Sequence, residues 1–197
     1  MSKQETSKQQ PATPLAGRRI LLGVSASIAA YKAAPLTRLL VKAGAEVQVI
    51  LTEAAAAFVT PLTLGTLSKK PVLSGFLRDA AAGEWHNHVE LGLWADALLI
   101  APASANTIGQ LANGLCPNLL CAVYLSARCP VFLAPAMDVD MFAHPAVTQN
   151  LARLRSLGNH VFDSPSGELA SGLHGPGRML EPEDIVAKLT EVLSFEG

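Results

Sequence analysis

The stretch VFLAPAMDVDM (Val131–Met141) decides the fold that we predict for this chain. It begins with a short apolar run, residues 131–134, which is typical of a strand buried inside a sheet. Pro135 ends that run, and a small polar loop carrying Asp138 and Asp140 follows directly. In open α/β sheets, ligands bind in the crevice outside the carboxyl ends of the strands. The stretch therefore predicts a binding site at one edge of a sheet.

Two other apolar runs end in loops of small residues in the same manner. ILLGV (20–24) leads into SASIAAYK, and ALLIA (97–101) leads into PASANTIGQLANG. Strands alternate with helical patterns along the chain, which favours a doubly wound, mostly parallel sheet of the Rossmann-like or flavodoxin-like α/β class in a single domain. In such a sheet the three loops converge on one edge and form a site together.

The remaining elements follow from composition and apolar spacing. Further strands are predicted at 45–52 and 159–162, with a minor extended piece at 71–77. Residues 79–87 and 163–179 have loop composition, and the second loop is long enough to be a functional lid or a disordered segment. Helices are predicted at 53–58, 61–67, 107–112, 118–127, 145–157 and 183–193. A further helix is predicted after the first strand, and its apolar spacing is expected to bury Ile28, Leu36, Leu39 and Leu40 on one face.

Composition limits the classes of partner. Residues 1–16 are polar, so we predict a disordered leader there and a folded domain over 17–197. Half of the residues are hydrophobic and only 16% are charged, which predicts apolar surface buried between the subunits of a homo-oligomer. The net charge of −1 argues against nucleic acid as a partner. Without a membrane-spanning apolar run or a signal peptide in the sequence, the expected location is the cytoplasm.

Cys116, Cys121 and Cys129 lie close together in the sequence. No CxxC or paired Cys/His spacing accompanies them, so no metal site is predicted. We interpret all three as small apolar core residues of a protein in a reducing compartment.

Two features have both a functional and a structural interpretation. Gly23, Ser25 and Ser27 lie between a strand and a helix, where small residues and hydroxyl groups can bind a phosphate, although any tight strand–helix turn needs small residues. His88 suits an acid–base group in the strand-end crevice, whereas a capping or core histidine is the more common case. Spacing in the sequence does not decide between these alternatives.

The motifs, taken together, resemble the homo-oligomeric flavin-containing cysteine decarboxylases. The likeness is greatest to the phosphopantothenoylcysteine decarboxylases that form the N-terminal half of the bifunctional bacterial coenzyme A enzymes, and it extends from Gly17 to Leu193. The matching segments are GVSASIAAYK (23–32), HVELGLWAD (88–96), APASANTIGQLANG (101–114), APAMDVDM (134–141) and GELASGLHGPGRM (167–179).

The resemblance implies FMN as the cofactor, bound at a subunit interface, in a homo-oligomer made of one or more trimers. A phosphopantothenate–cysteine ligase is an implied partner, because that activity forms the other half of the bifunctional enzymes. His88 matches the family's essential histidine, near the flavin and the substrate thiol. The implied FMN contacts are Gly23, Ser25 and Ser27 at the phosphate, Thr52 and Phe58 in the pocket, and Pro102, Ala103, Ser104 and Asn106 along the flavin.

The activity implied by the resemblance is decarboxylation of 4'-phosphopantothenoylcysteine to 4'-phosphopantetheine in coenzyme A biosynthesis. A cysteine carboxylate loses CO2 poorly, because the resulting carbanion has no electron sink. Flavin removes two electrons from the cysteine side chain to give a thioaldehyde, which accepts the electrons of the breaking C–C bond. The reduced flavin then returns the electrons to the enethiol, and a cysteine in the last loop supplies a proton.

Two positions depart from the family pattern. Asp138 replaces the asparagine that binds the substrate carboxylate, and an ionised Asp138 would repel that group in a dry site. Either Asp138 is protonated in the complex, or a neighbour compensates, or the carboxylate binds elsewhere. Asp138 is also suited to capping the helix that follows. Ser171, a far weaker acid, replaces the proton-donating cysteine, with His174 as an alternative donor. Met137 and Met141 complete the implied substrate-binding residues.

These departures leave three interpretations open. The favoured one is a complete phosphopantothenoylcysteine decarboxylase that uses Asp138, Ser171 and His174. The second is an oxidative decarboxylase that stops at the enethiol, like relatives acting on peptidyl C-terminal cysteine. The third is a non-catalytic FMN-binding regulatory subunit.

Overall fold

The computed structural model describes residues 13–79 and 81–195. The strands in these ranges are β1 (Arg19–Val24), β2 (Glu46–Leu51), β3 (Leu77–Asp79), β4 (Glu84–Trp85), β5 (Ala97–Ala103), β6 (Val131–Pro135), β7 (His160–Val161), β8 (Ser166–Glu168) and β9 (His174–Pro176). Five of them form one parallel sheet in the order β2-β1-β5-β6-β7. The predicted doubly wound α/β class is confirmed.

Helices connect the strands and cover both faces of the sheet. Several begin at a polar residue whose side chain accepts a hydrogen bond from the first turn, as Asn87, Asn118 and Asp138 do. The helices are α1 (Ala33–Lys42), α2 (Pro61–Ser68), α3 (His88–Trp94), α4 (Ala105–Ala112), α5 (Leu119–Ser126), α6 (Val139–Ala143), α7 (Pro145–Ser156) and α8 (Pro182–Phe195), with short 3₁₀ helices at Ile28–Lys32 and Glu53–Ala57.

The central strands are buried on both faces, which explains their continuous apolar sequence. In β1, Ile20 and Leu22 point into the core that includes Leu36 of α1 and Ile185 of α8. Leu21 points into the opposite core, which contains side chains of α4, α5 and α7. The sheet is thus a rigid platform, and its carboxyl edge is the place where loops can vary without loss of core packing.

Some element boundaries and exposures differ from the predictions. β5 continues through Pro102 and Ala103, which were predicted to lie in a loop, because both residues are buried and Ala103 pairs with Pro135. Ile28 is 61% exposed rather than part of the buried helix face. A short antiparallel hairpin, β8–β9, lies within the second predicted loop, and another, β3–β4, begins at Leu77 and ends within the first. Backbone hydrogen bonds between nearby residues form these hairpins. The sequence did not predict them, because their residues have the composition of loops.

The predicted disordered leader, 1–16, is wrong over its last four residues. Leu15 is buried in the core, and its N–H donates to the Ala43 carbonyl oxygen at 2.8 Å. Leu15 therefore packs against the C-terminal end of α1, and residues 13–16 are ordered. The other twelve residues of the predicted leader lie outside the described residues.

The cysteines are not all core residues. Cys121 is buried in α5, and its Sγ donates to Gln110 Oε1 at 3.4 Å. Burial, with a contribution from nearby Cys116, raises the pKa of the Cys121 thiol to about 11. Cys116 is exposed, which contradicts the prediction that the cysteines are packed inside, because it lies in the turn before α5 rather than on its buried side.

Asp96 fastens the start of β1 to the turn before β5. Its carboxylate accepts hydrogen bonds from the Arg19 backbone N–H at 2.8 Å and from Arg19 Nε and Nη2 at 3.2 and 2.8 Å. These hydrogen bonds from Arg19 hold the pKa of Asp96 below its ordinary value, against the opposing effect of burial. A carboxylate with a lowered folded-state pKa stabilises the fold above its unfolded pKa, and that stabilisation is lost as the pH falls through the folded value.

We therefore expect Asp96→Asn to lower the midpoint of thermal unfolding by about 3 °C at pH 7, because one charge-assisted acceptor is lost. The difference from the parent protein should shrink below about pH 4, the ordinary range of an aspartate. Thermal unfolding followed by circular dichroism from pH 7 to pH 3 measures it. A pH-independent difference between the two proteins would assign the effect to packing instead.

Candidate cofactor and substrate cavity

A cavity of about 1200 Å³ lies at the carboxyl edge of the central sheet. A site for one small ligand has about 300–1000 Å³, so this cavity has room for a cofactor together with a substrate. It lies beyond β1 and β5, the neighbours at which the strand order reverses, as expected for a doubly wound sheet. The lining residues are 26–29, 31–32, 52–54, 104–107, 110, 117–118, 136–138, 141, 168–170 and 177–179.

Ser25 ties together the two loops that follow β1 and β5. Its Oγ donates to the Pro102 carbonyl oxygen at 2.7 Å and accepts from the Ser104 N–H at 2.9 Å. Ser25 is 1% exposed and is not a lining residue. The hydroxyl is therefore occupied in fixing the loops, and it holds Ser104 at the cavity wall.

Ser27 and Ser104 each cap a helix beside the cavity. Ser27 Oγ accepts from the Ala29 N–H at 3.3 Å, and Ser104 Oγ accepts from the Thr107 N–H at 3.4 Å. Asn106 and Thr52 line the same cavity. Hydroxyl groups, an amide and helix-terminal N–H groups at one wall are suitable donors for an anionic, polar ligand such as a phosphate ester.

The loop after β6 supplies a further part of the cavity lining. Asp138 Oδ1 accepts from the Val139 N–H at 2.7 Å, so Asp138 caps α6 and at the same time lines the cavity. The Met137 N–H donates to the Gly177 carbonyl oxygen at 3.0 Å. Two cavity segments that are distant in sequence, 136–138 and 177–179, are therefore held together by backbone.

The charged residues of the wall have mixed signs. Lys32 is buried and paired with Glu181 at 2.7 Å, and Arg178 Nη2 lies 3.4 Å from the same carboxylate. The side chain of Arg178 is 41% exposed, which leaves guanidinium N–H groups for a ligand anion. Arg178 therefore brings a positive charge to the cavity that Asp138 also lines. The negative side chains of the wall are Glu53, Asp138 and Glu168.

His88 is the first residue of α3 and does not line the cavity of its own chain. The capping interpretation is wrong, because Asn87 caps α3 by accepting from the Val89 N–H at 3.1 Å. The imidazole lies edge-on to Trp85, with ring centroids 5.7 Å apart. Its Nδ1 is buried and has no hydrogen-bond partner among residues 13–79 and 81–195. An unpartnered buried ring nitrogen is unusual and fits a residue that acts on a group from another molecule.

The hairpin β8–β9 carries the two positions suggested as proton donors. Ser171 lies in its turn, where Oγ accepts from the Leu173 N–H at 3.4 Å. His174 pairs with Glu168 across the hairpin, and Glu168 lines the cavity while His174 and Ser171 do not. Both suggested donors are exposed in this conformation.

The structure brings some of the predicted site residues to one cavity and leaves others outside it. Those at the wall are Ser27, Thr52, Ser104, Asn106, Met137, Asp138 and Met141. Those away from the wall are Gly23, Ser25, Phe58, His88, Pro102, Ala103, Ser171 and His174. Sequence reasoning missed Lys32, Glu168 and Arg178 as individual residues, although all three belong to segments that carried the family resemblance.

Gly177 is the residue that permits the close contact between segments 136–138 and 177–179. Its φ of +130° is unfavourable for other residues, and a Cβ here would overlap the Met137 carbonyl oxygen. We expect Gly177→Ala to lower the free energy of unfolding by about 2–3 kcal/mol, as backbone strain and overpacking add. Chemical denaturation measures this value. Gly75→Ala is the matched control, because nothing lies within 4 Å of a Cβ there, and an equal loss in both variants would contradict the argument.

The fold and the cavity define a doubly wound α/β protein with a cofactor-sized site at the strand ends. The family model described as Flavoprotein matches residues 8–194, so the chain belongs to the Flavoprotein family. Within residues 13–79 and 81–195, no helix has the length and apolar character needed to cross a membrane.

Two curated relatives show which proteins of that family the chain is similar to. The chain is 62% identical over 137 residues to a cysteine/cysteine sulfinic acid decarboxylase of an unknown prokaryotic organism, covering 70% of this chain and 37% of that protein. It is 47% identical over 173 residues to the coenzyme A biosynthesis bifunctional protein CoaBC of Vibrio vulnificus (strain YJ016), covering 88% of this chain and 43% of that protein. The chain thus spans less than half the length of these two curated relatives.

A solved structure shares the fold over nearly the whole chain. It is a PPC decarboxylase mutant complexed with pantothenoylaminoethenethiol, with a TM-score of 0.78 and 34% sequence identity. The match covers 91% of this chain and 99% of that one.

Proposed function

We propose that this chain is an FMN-dependent phosphopantothenoylcysteine decarboxylase, a carboxy-lyase of coenzyme A biosynthesis. One observation carries the proposal. Four of the five segments that resemble these decarboxylases, 23–32, 101–114, 134–141 and 167–179, contribute to the wall of one cavity. Resemblance scattered over a surface would indicate shared ancestry only, whereas resemblance concentrated at a site supports a shared ligand. This role in coenzyme A synthesis also implies action in the cytoplasm.

FMN fits the wall formed by the loops after β1, β2 and β5. Ser27, Ser104 and Asn106 offer polar groups, and Thr52 lies on the same side. Gly23 keeps the β1 end close to α5, because a Cβ there would approach Leu120 Cδ1 to 2.5 Å. When bound, flavin supplies the two-electron acceptor that a cysteine side chain needs before it can lose CO2. Phe58, Pro102, Ala103 and Ser25 keep their proposed places in or behind this FMN site.

The substrate then lies against the wall formed by the loop after β6 and the end of the last hairpin. Asp138, Met137 and Met141 contact its cysteine end, and Arg178 balances the charge of Asp138 and of the substrate carboxylate. A proton has to reach the enethiol for the last step. Ser171 or His174 delivers it after the β8–β9 hairpin moves toward the cavity, since both are outside the wall in the conformation described.

His88 reaches the reaction from a neighbouring subunit. It lies beside exposed apolar residues of the α3 region, including Val89 and Leu93. A second set of exposed apolar residues, which includes Ile28 and Tyr31, lines the cavity mouth. Contact between two different surfaces of identical chains is heterologous, and it closes into a ring when the rotation allows. We therefore propose a cyclic trimer, or a multiple of trimers, and a ligase activity as a functional partner.

The visible spectrum of the FMN-loaded protein under anaerobic conditions tests the function. With phosphopantothenoylcysteine, we expect bleaching of the flavin followed by return of its colour, because both half-reactions run. Bleaching that persists would show that the chain stops at the enethiol, as the oxidative alternative requires. No bleaching, with phosphopantetheine absent from the products, would refute the proposed function and leave either another substrate or the regulatory-subunit alternative.

A second candidate is decarboxylation of free cysteine or cysteine sulfinate. The observation in its favour is the 62% identity to the cysteine/cysteine sulfinic acid decarboxylase, the higher of the two identities. Asp138 is compatible with it, because a carboxylate attracts the ammonium group that a free amino acid carries. Comparing kcat/KM for cysteine, cysteine sulfinate and phosphopantothenoylcysteine under the same conditions decides between the two candidates.

A further inference from the structure

Lys32 is a buried cation between the two walls of the cavity. It is the last residue of the 3₁₀ helix capped by Ser27, and it is 6% exposed. Its Nζ donates to the Met179 carbonyl oxygen at 3.1 Å and to Glu181 Oε1 at 2.7 Å. Lysine is seldom buried unless it is paired, so these two partners account for its position. The side chain thus connects the loop after β1 to the segment after β9.

The connection continues to the loop after β6. Met179 is two residues beyond Gly177, whose carbonyl oxygen accepts from the Met137 N–H at 3.0 Å. Met137 immediately precedes Asp138, and both line the cavity. A continuous series of contacts therefore runs from the cofactor wall through Lys32 to the substrate wall.

The partners of Lys32 indicate what its charge does. Glu181 has a side chain that is 45% exposed, so water can solvate this carboxylate without Lys32. The Met179 carbonyl hydrogen bond is buried, and water has no equivalent access to it. Loss of the ammonium group therefore leaves a buried acceptor unpaired, at a larger cost than the loss of an exposed ion pair. The charge chiefly fixes the backbone of residues 177–179.

We propose that Lys32 is a positioning residue that holds segment 177–179 against Met137 and Asp138, so that the substrate wall stays in place relative to the cofactor wall. The proposal rests on the proposed function only for the identity of the substrate. Lys32 does not contact the reacting atoms in this role. Loss of the Lys32 charge weakens substrate binding more than it slows the reaction of the bound complex.

The test compares Lys32→Met with the parent protein, both loaded with FMN. Methionine fills much of the same space without the charge. We expect amide hydrogen exchange of peptides covering Met137 and residues 177–179 to rise by about tenfold, because the buried hydrogen bond is lost. KM for phosphopantothenoylcysteine should rise by about tenfold, kcat should change less, and FMN affinity should stay within about twofold of the parent.

Lys70→Met is the matched control, because Lys70 also pairs with a glutamate, Glu46, but lies outside the cavity. It should leave exchange at 177–179 and KM unchanged. Lys32→Arg keeps a cation and should recover most of the parent KM, and Glu181→Gln should give a smaller effect than Lys32→Met, since the Met179 hydrogen bond remains.

Three results would overturn the proposal. These are unchanged exchange at Met137 and 177–179 in Lys32→Met, a loss of FMN affinity equal to the rise in KM, and an equal rise in exchange over the whole sheet. Hydrogen exchange needs no turnover, so it still tests the positioning role if the parent protein proves inactive on phosphopantothenoylcysteine. In that case the proposed function fails, and the exchange measurement alone decides the inference about Lys32.

Discussion

Replacing His88 with asparagine is expected to reduce decarboxylation by about a thousandfold, the effect of removing a positioned acid–base group. The variant should keep its fold, because His88 is not the cap of α3 and makes no hydrogen bond through Nδ1 within the described residues. FMN should still bind, since the polar groups proposed to hold it, Ser27, Ser104 and Asn106, are unchanged in the variant. Steady-state turnover and flavin fluorescence measure the two properties separately.

Mixed oligomers test where His88 acts. His88→Asn and Asp138→Ala proteins are each expected to be inactive, the second because alanine, unlike asparagine, removes the cap of α6 and the polar contact to the substrate. The two proteins are unfolded and refolded together at equal amounts. If His88 of one subunit serves the cavity of the next, about a quarter of the sites regain both residues in a random mixture. If His88 serves its own cavity, one parent residue is missing at every site and activity stays at the level of the separate variants. That second result would refute the shared site.

Replacing Asp138 with asparagine is expected to change substrate preference by about 10- to 100-fold in favour of phosphopantothenoylcysteine over free cysteine. The aspartate places a negative charge at the cavity wall, where it repels the anionic groups of phosphopantothenoylcysteine and attracts the ammonium group of cysteine. Asparagine removes the charge and still accepts the hydrogen bond from the Val139 N–H that begins α6. The ratio of kcat/KM for the two substrates measures the change.

Asp140→Asn is the matched control for this prediction. Asp140 lies in the first turn of α6, is exposed, and is not part of the cavity wall. Removing its charge should leave the preference ratio close to that of the parent. If both variants change the ratio equally, the effect comes from the general field around α6 and not from a contact between Asp138 and the substrate.

The sequence by itself determined the fold class and the edge of the sheet that carries the site. The apolar runs at 20–24, 97–101 and 131–134 are buried on both faces, and few other arrangements satisfy three such strands linked by helices. Each run ends in small residues, and parallel strands bring their carboxyl ends to one side. The positions of Ser27, Ser104 and Asp138 at one cavity follow from those two facts. Local chemistry was sufficient here because each residue lies within a few positions of a strand end.

Only the tertiary structure decided which residues share a wall and which stand apart. Lys32 and Met179 are separated by 147 positions, and their hydrogen bond depends on how the 3₁₀ helix at Ile28–Lys32 packs against the segment before α8, which no local pattern encodes. The sequence suggested that Ser25 binds a phosphate. In the structure its hydroxyl is buried between the loops after β1 and β5 and connects them by two hydrogen bonds. His88 does not line the cavity of its own chain, because α3 packs beside α5 and not over the strand ends. Periodicity records which side of an element is buried, whereas contacts between distant elements depend on packing across the whole fold.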